Sequence, residues 1–311
     1  MGIIDIIIPT YNAQKTLERT LFSISYQTIS DRLNVYIVND KSDDDYADII
    51  NFFSMYLNIK EVKLEKNVGP GLAREEGIKN SNSKYIMFID SDDMFASPNS
   101  IEIIYKEIEK NDLDVVIGKF VECRENDFIH HDNDEIWLHG KIYRREFIEQ
   151  NNIHFNSSRA NEDNYFNQCV MLSDPRKKYI DYPIYFWMYN ENSITRKNDF
   201  EYSYKGLFGY ISNMNEALLF AVKNNKNKVN IGNFSLSVLC AIYYYYIEYN
   251  DQEFLKCSKS IKRIYLDHRE YINNEENIKK TQYDFAISNL TPENINGSTL
   301  TFDEFLESIG D

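Results

Sequence analysis

A chain of 311 residues with 43% hydrophobic and 27% charged residues can bury a sizeable core without disulfides or a structural metal, and its composition excludes wholesale disorder. The net charge of −15 excludes a generic nucleic-acid partner, which needs a basic surface to release counterions, and it disfavours electrostatic docking on an anionic membrane. Four scattered cysteines, Cys123, Cys169, Cys240 and Cys257, form no CxxC pair, so neither a zinc site nor a disulfide framework is expected, and a cytoplasmic setting is the simplest reading.

In chain order, Met1 to Asp5 lacks a basic leader, so no signal peptide is expected. Ile3 to Ile8 is an apolar run ending at Pro9, a first strand, and Leu17, Leu21 and Ile24 then fall at helical spacing between Asn12 and Thr28. Val35 to Val38 reads as a second strand, Ile49 to Leu57 as a helix, Glu61 to Leu64 as a third strand, Leu72 to Asn80 as a helix and Tyr85 to Ile89 as a fourth strand. This alternation predicts an α/β fold with a Rossmann-like, mainly parallel sheet and helices on both faces. Further on, the pattern predicts a helix over 99–110, a strand over 114–120, a polar loop through His130, His131 and Glu135, a helix over 144–150, another from near Asp163, and extended aromatic segments over 182–189. Beyond residue 200 the pattern is helical, and the apolar stretch Phe234 to Ile247 is too short to span a bilayer and reads as a buried helix. The division expected is a nucleotide-binding catalytic domain over 1–200 and a helical region over 201–311, serving packing, homo-oligomerisation or acceptor binding.

Each predicted strand is followed at once by residues able to bind or catalyse: Pro9, Thr10, Tyr11 and Asn12; Asn39 and Asp40; Asn67; Asp90, Ser91, Asp92 and Asp93. In a parallel sheet these strand ends share one edge, where open α/β sheets bind ligands. Carboxylates crowded at the end of a buried strand repel unless a cation compensates. A hard divalent ion, Mn²⁺ or Mg²⁺, held by few carboxylates and completed by substrate phosphates, matches that composition. Competing motifs fail on particulars. Gly69-Pro70-Gly71 has Arg74 where a dinucleotide fingerprint needs its third glycine, Asp40 to Asp45 lacks the central glycine of a calcium loop, and neither a P-loop nor a GxSxG elbow is present.

Taken together, Ile8-Pro9-Thr10-Tyr11-Asn12, Ser25-Tyr26-Gln27-Thr28, Val38-Asn39-Asp40-Lys41-Ser42-Asp43-Asp44, Asn67-Val68-Gly69-Pro70-Gly71-Leu72-Ala73-Arg74 and Phe88-Ile89-Asp90-Ser91-Asp92-Asp93 occur in an order that resembles the GT-A fold, family 2 glycosyltransferases of bacterial surface-polysaccharide synthesis. The resemblance continues through Gly140 to Arg145 and Asn161 to Phe166 and fades after Ser193-Ile194-Thr195.

The resemblance implies that Pro9, Thr10, Tyr11 and Asn12 cradle the base and ribose of a nucleotide sugar, with the Tyr11 ring offering a stacking face. It implies that Asp40 accepts the imide N–H of uracil, and that Asn67, Gly69 and Arg74 close over the nucleoside. Asp90 and Ser91 would then serve the donor, with Asp92 the direct ligand of Mn²⁺ or Mg²⁺. Asp163 stands at the position of the family's base, which implies inversion by a single displacement. Lys141, with Trp137 and His139, lies in a segment suited to the donor sugar or diphosphate, and Trp187, Tyr189 and Asn190 to Thr195 suit a flap over the site. The implied partners are a nucleotide-sugar donor, UDP first, and a surface glycan or glycolipid acceptor, through which the chain would meet the membrane peripherally. Two other readings are a nucleotidyltransferase, which would need a glycine-rich basic loop where Tyr11-Asn12-Ala13 stands, and a non-catalytic sugar-binding module, against which Asp92 and Asp163 argue.

Overall fold

The computed structural model describes residues 2–190, 200–245, 251–272 and 301–310; residues 191–195 of the flap expected from Trp187, Tyr189 and Asn190 to Thr195, and the end of the 234–247 helix, lie outside them. The chain separates into two units, Met1–Val170 with Pro175–Asn198, and Met171–Asp174 with Asp199–Asp311.

The first unit is built on β1 (Ile4–Thr10), a run buried at every position. A strand apolar on both sides belongs inside a parallel sheet, and β1 lies between β2 (Leu33–Asn39) and β4 (Tyr85–Phe88), parallel to both, with β3 (Asn58–Lys63) beyond β2. Further strands β5 (Met94–Phe95), β6 (Val115–Cys123), β7 (Phe128–His131), β8 (Lys141–Arg144) and β9 (Lys177–Trp187) complete a mixed sheet of order β3-β2-β1-β4-β8-β6-β9-β5, with β7 paired to β6. Parallel pairing supplies most of the register, and antiparallel β8 and β5 extend it.

The helices are α1 (Leu17–Ser25), α2 (Ala47–Phe53), α3 (Pro70–Lys79), α4 (Ser100–Lys110), α5 (Arg145–Gln150) and α6 (Glu162–Leu172). The first begins later than Asn12, because Asn12 takes φ 51 and its amide donates to Ser42 Oγ at 3.1 Å. The segment through His130 and His131, expected as a loop, is strand β7: a four-residue antiparallel pairing with β6 outweighs its polar composition. At the start of the strands, the fully buried Asp5 carboxylate accepts from Asn34 Nδ2 (2.9 Å), Ser83 Oγ (2.7 Å), Ser83 N (2.6 Å) and an Arg145 Nη (2.9 Å). That network satisfies a charge which would be costly to bury alone, and it fixes the end of the sheet opposite the polar edge.

The second unit is helical, with α7 (Phe200–Lys223), α8 (Lys228–Tyr245), α9 (Gln252–His268) and α10 (Phe302–Ser308). Asp251 caps α9 by accepting from the amides of Glu253 and Phe254, and Thr301 with Glu304 forms a capping box at α10. Leu236, Leu239, Ile242, Ile261 and Tyr265 are among its buried residues. No described helix is long and apolar enough to cross a membrane.

Candidate active site

At the ends of β1, β2 and β3 a hydrogen-bonded loop system takes shape. The Asp40 amide donates to Thr10 O at 2.8 Å, while Thr10 Oγ1 donates back to Val38 O at 3.2 Å, so the Thr10 hydroxyl is buried in backbone work. Asn12 Oδ1 accepts from the Asp43 amide at 3.1 Å. The Asp40 carboxylate, buried, accepts from the amides of Val68 (2.7 Å) and Gly69 (2.8 Å). Its two oxygens therefore hold the loop before α3. Asn67 Nδ2 donates to Asp40 O at 3.2 Å, and Arg159 reaches Asn67 Oδ1 (3.1 Å) and O (3.3 Å). Gly69 stands at φ 89, ψ 164, a conformation that favours glycine, and Pro70 opens α3 directly after it. Buried Pro9 precedes this system, and Tyr11 keeps an exposed ring at its rim.

A second cluster centres on Arg74, one turn into α3. Its buried guanidinium donates to Asp90 Oδ1 at 2.5 Å and to Glu162 Oε1 at 2.8 Å, joining the turn after β4 to the first turn of α6. Sequence resemblance had this arginine closing over a nucleoside; here its terminal nitrogens are committed to two carboxylates. Glu162 can come so near α3 because residue 71 is glycine: a Cβ there would lie 2.6 Å from Glu162 Cγ. Burial opposes ionisation of both partners, but their mutual attraction wins, and the Asp90 carboxyl is held well below the usual range while Arg74 is raised.

Asp163, next in the helix, has the opposite balance. Burial and the neighbouring Glu162 charge push its carboxyl up to about 7, with Arg74 and its bond from the Asn164 amide (2.8 Å) pulling the other way. Burial lowers Lys141 to about 8 against the attraction of Asp134; its ammonium donates to the Trp137 carbonyl and lies 3.5 Å from Asp134 Oδ1. Lys141 is thus held by its own loop, and Asp163 is among the charges it feels.

The acidic turn itself is partly self-satisfied. Asp92 Oδ2 accepts from Asn190 Nδ2 at 2.7 Å, and its carbonyl accepts from Arg19. Ser91 lies half-buried in the same turn. Asp93 is buried and accepts from Tyr185 Oη (2.5 Å) and the Met188 amide (2.7 Å). Burial raises Asp92 and raises Asp93 well above an ordinary carboxyl, and repulsion among these acids adds to both. Ligand atoms of Asp90, Asp93 and His139 approach within 4.8 Å of one another. Asp92, the ligand expected from sequence, is outside that trio, its carboxylate bonded to Asn190. His139 Nδ1 is buried without a hydrogen-bond partner, and its Nε2 lies 3.8 Å from Asp90. Crowded carboxylates beside an imidazole with one unpartnered nitrogen fit a divalent cation.

Arg159 and the pairing role of Glu162 were not assigned from sequence, and Asp93, His139 and Asn190 were assigned only to the acidic strand end, the donor segment and the flap, without these partners. Asp93 adjoins the acidic motif, but the others act across 49 to 98 residues of separation from their partners, which no local pattern records.

The family model for glycosyl transferase family 2 matches residues 5–161, which contain nearly all of this edge. The chain is 28% identical over 223 residues to glycosyltransferase GlyA of Streptococcus pneumoniae serotype 4, covering 62% of this chain and 31% of that protein. It is 31% identical over 119 residues to the poly(ribitol-phosphate) β-N-acetylglucosaminyltransferase TarP of Staphylococcus aureus, covering 38% and 36%. The chain thus spans about a third of the length of each of these relatives. In fold it is similar to S. aureus TarS 1–349, crystallised with UDP-GlcNAc, with a TM-score of 0.68 and 17% identity over 93% of this chain and 92% of that one. The α/β sheet read from the sequence is therefore of the GT-A type, and the chain belongs to glycosyl transferase family 2.

Proposed function

We infer that this chain transfers a sugar, with inversion, from a nucleoside-diphosphate donor, UDP first, to a hydroxyl of a surface glycan or glycolipid precursor. Residues 1–200 would act as the catalytic domain, and 201–311 as a helical region for packing, oligomerisation or acceptor binding. The observation that carries this reading is the Arg74 bridge, which ties the acidic turn at Asp90 to the helix start at Glu162 and Asp163. One guanidinium thereby sets a donor-side acid cluster against a carboxyl poised near neutrality, as base catalysis at pH 7 requires. The presence of UDP-GlcNAc in the TarS complex supports a UDP donor.

In this mechanism the Tyr11 ring stacks on the base, and the loop held by Asp40 and Asn67 shapes its pocket. Asp92, next to the trio of Asp90, Asp93 and His139, would hold Mn²⁺ or Mg²⁺ together with it, and the ion would supply Lewis-acid stabilisation of the departing diphosphate. The acceptor oxygen bonds to the anomeric carbon as the bond to the diphosphate breaks, and Asp163 takes the hydroxyl proton. UDP release from UDP-sugars, measured with Mn²⁺ and an acceptor, tests the reading. Asp163→Asn should lower transfer by about 10²–10⁴-fold, the span of a general base, while UDP affinity stays within twofold. Absence of metal-dependent UDP binding and of UDP release from the parent chain would overturn it.

A further inference from the structure

Beside the carboxylates stands an aromatic group whose arrangement the transfer chemistry alone does not require. The rings of Trp137 and Trp187 lie 5.6 Å apart, tilted by 42°. His139 sits 5.3 Å from Trp187 and stacks on Tyr185 at 4.5 Å. Both indoles are partly exposed and pack against the core, and His139 connects them to Asp90.

The turn that carries Trp137 is strongly fixed. Asp134 Oδ1 accepts from the amides of Ile136 (2.9 Å) and Trp137 (2.8 Å), and the buried Lys141 ammonium binds the Trp137 carbonyl. From α6, Asn167 Nδ2 donates to Ile136 O at 2.9 Å, while Tyr143 Oη donates to Asn167 Oδ1 at 2.7 Å. The turn that carries Trp137 is therefore tethered to the same helix that carries Asp163. A buried ammonium is costly, and here it is spent on the backbone of the turn that carries Trp137.

The charges around this turn decide what would settle on it. Cations on the adjoining strands are already paired: Lys119 with Asp132 (3.2 Å) and Asp181 (2.6 Å), Lys177 with Glu135, and Lys141 with Asp134. Among the described residues of these strands, a phosphate-bearing acceptor would meet carboxylates and cations already engaged with them, and an acyclic polyol offers no flat apolar face to an indole. A pyranose has an apolar ring face for aromatic contact and hydroxyls at its edge.

Resting on the glycosyltransferase reading above, we propose that Trp137 and Trp187 form the acceptor subsite, and that the acceptor is an uncharged pyranoside rather than a polyol-phosphate chain. The protein contains 2 tryptophans, so its indole emission reports on this pair alone.

The test uses the full chain with Mn²⁺ and, in turn, UDP-glucose, UDP-galactose and UDP-N-acetylglucosamine. UDP release is followed with octyl β-glucoside, β-galactoside or β-N-acetylglucosaminide, and with a short ribitol-phosphate oligomer. At least one pyranoside should accelerate release tenfold or more over the acceptor-free rate, and the oligomer should not. The same pyranoside, titrated with UDP and Mn²⁺ present, should shift the indole emission saturably. Trp137→Ala and Trp187→Ala should each raise its KM at least tenfold with UDP affinity within twofold, and Trp137→Phe should recover most of the loss. If an alanine variant loses UDP binding, the phenylalanine variant and the emission titration of the parent chain decide. Acceleration by the oligomer alone, or an emission that no pyranoside shifts while UDP release proceeds, overturns the subsite. UDP release absent with every donor and acceptor overturns the underlying reading, and the subsite with it.

Discussion

Replacing Arg74 by methionine removes a cation whose side chain is 6% exposed and leaves Glu162, 8% exposed, as a buried carboxylate without its partner. Removing one member of a buried pair costs about 3–5 kcal/mol, because the remaining charge stays desolvated. The Asp90 side chain is 35% exposed, so water recovers part of that arm, and the loss should fall toward the lower end, about 3 kcal/mol. An exposed pair supplies the control: Lys84 and Glu109, 51% and 43% exposed, should be worth about 0–1 kcal/mol. Urea unfolding followed by tryptophan emission reads the first unit directly, since both indoles lie there. Arg74→Met should fall far below Lys84→Met in stability. Adding Glu162→Gln should restore a substantial part, because it removes the stranded charge, giving a coupling of about 0.5–3 kcal/mol in the double-mutant cycle. If Arg74→Met and Lys84→Met unfold within about 1 kcal/mol of each other, the bridge has been given the wrong weight.

Gly71→Ala would place a Cβ 2.6 Å from Glu162 Cγ and 3.2 Å from the Asn156 carbonyl; the expected cost is about 1–3 kcal/mol, with reduced turnover as the first turn of α6 is displaced, and unchanged melting would refute the contact. With Asp163 raised to about 7, kcat/KM should climb about tenfold per pH unit below that value and level off above it, a limb that a pH profile of Asp163→Asn should lack. The same shift has a stability sign: the folded chain keeps this proton after the unfolded chain has released it, so the contribution is full below the ordinary carboxyl range and is lost as pH rises toward about 7. Melting of Asp163→Asn should therefore depend less on pH across that window than melting of the parent chain. Asp92→Ala should weaken Mn²⁺-dependent UDP binding at least tenfold, measured calorimetrically, with metal-free binding unaltered; equal affinity with Mn²⁺ would remove Asp92 from the metal site.

The parallel half of the sheet was legible because its strands are β-branched runs with polar residues at their ends, as at Ile8-Pro9-Thr10 and Phe88-Ile89-Asp90. Strand β8 was harder to read: Lys141 and Arg144 make it look polar, yet all four of its residues are buried. Two-residue β5 has no length from which to read a period. Asp163 entered through a family resemblance, because a helix-start acid carries the same signature in isolation. What the sequence did not disclose was how site side chains engage their partners. Arg74 meets Glu162 across 88 residues, and Asn190 meets Asp92 across 98; only the assembled sheet edge brings such residues together.

The Asp40 carboxylate, drawn onto the amides of Val68 and Gly69, means that the loop before α3 takes its shape when the protein folds. A nucleotide entering this edge would encounter a finished contour, so little ordering entropy remains to oppose binding. Discrimination between bases would then arise from rigid misfit, with a mismatched base leaving fixed polar groups unpaired.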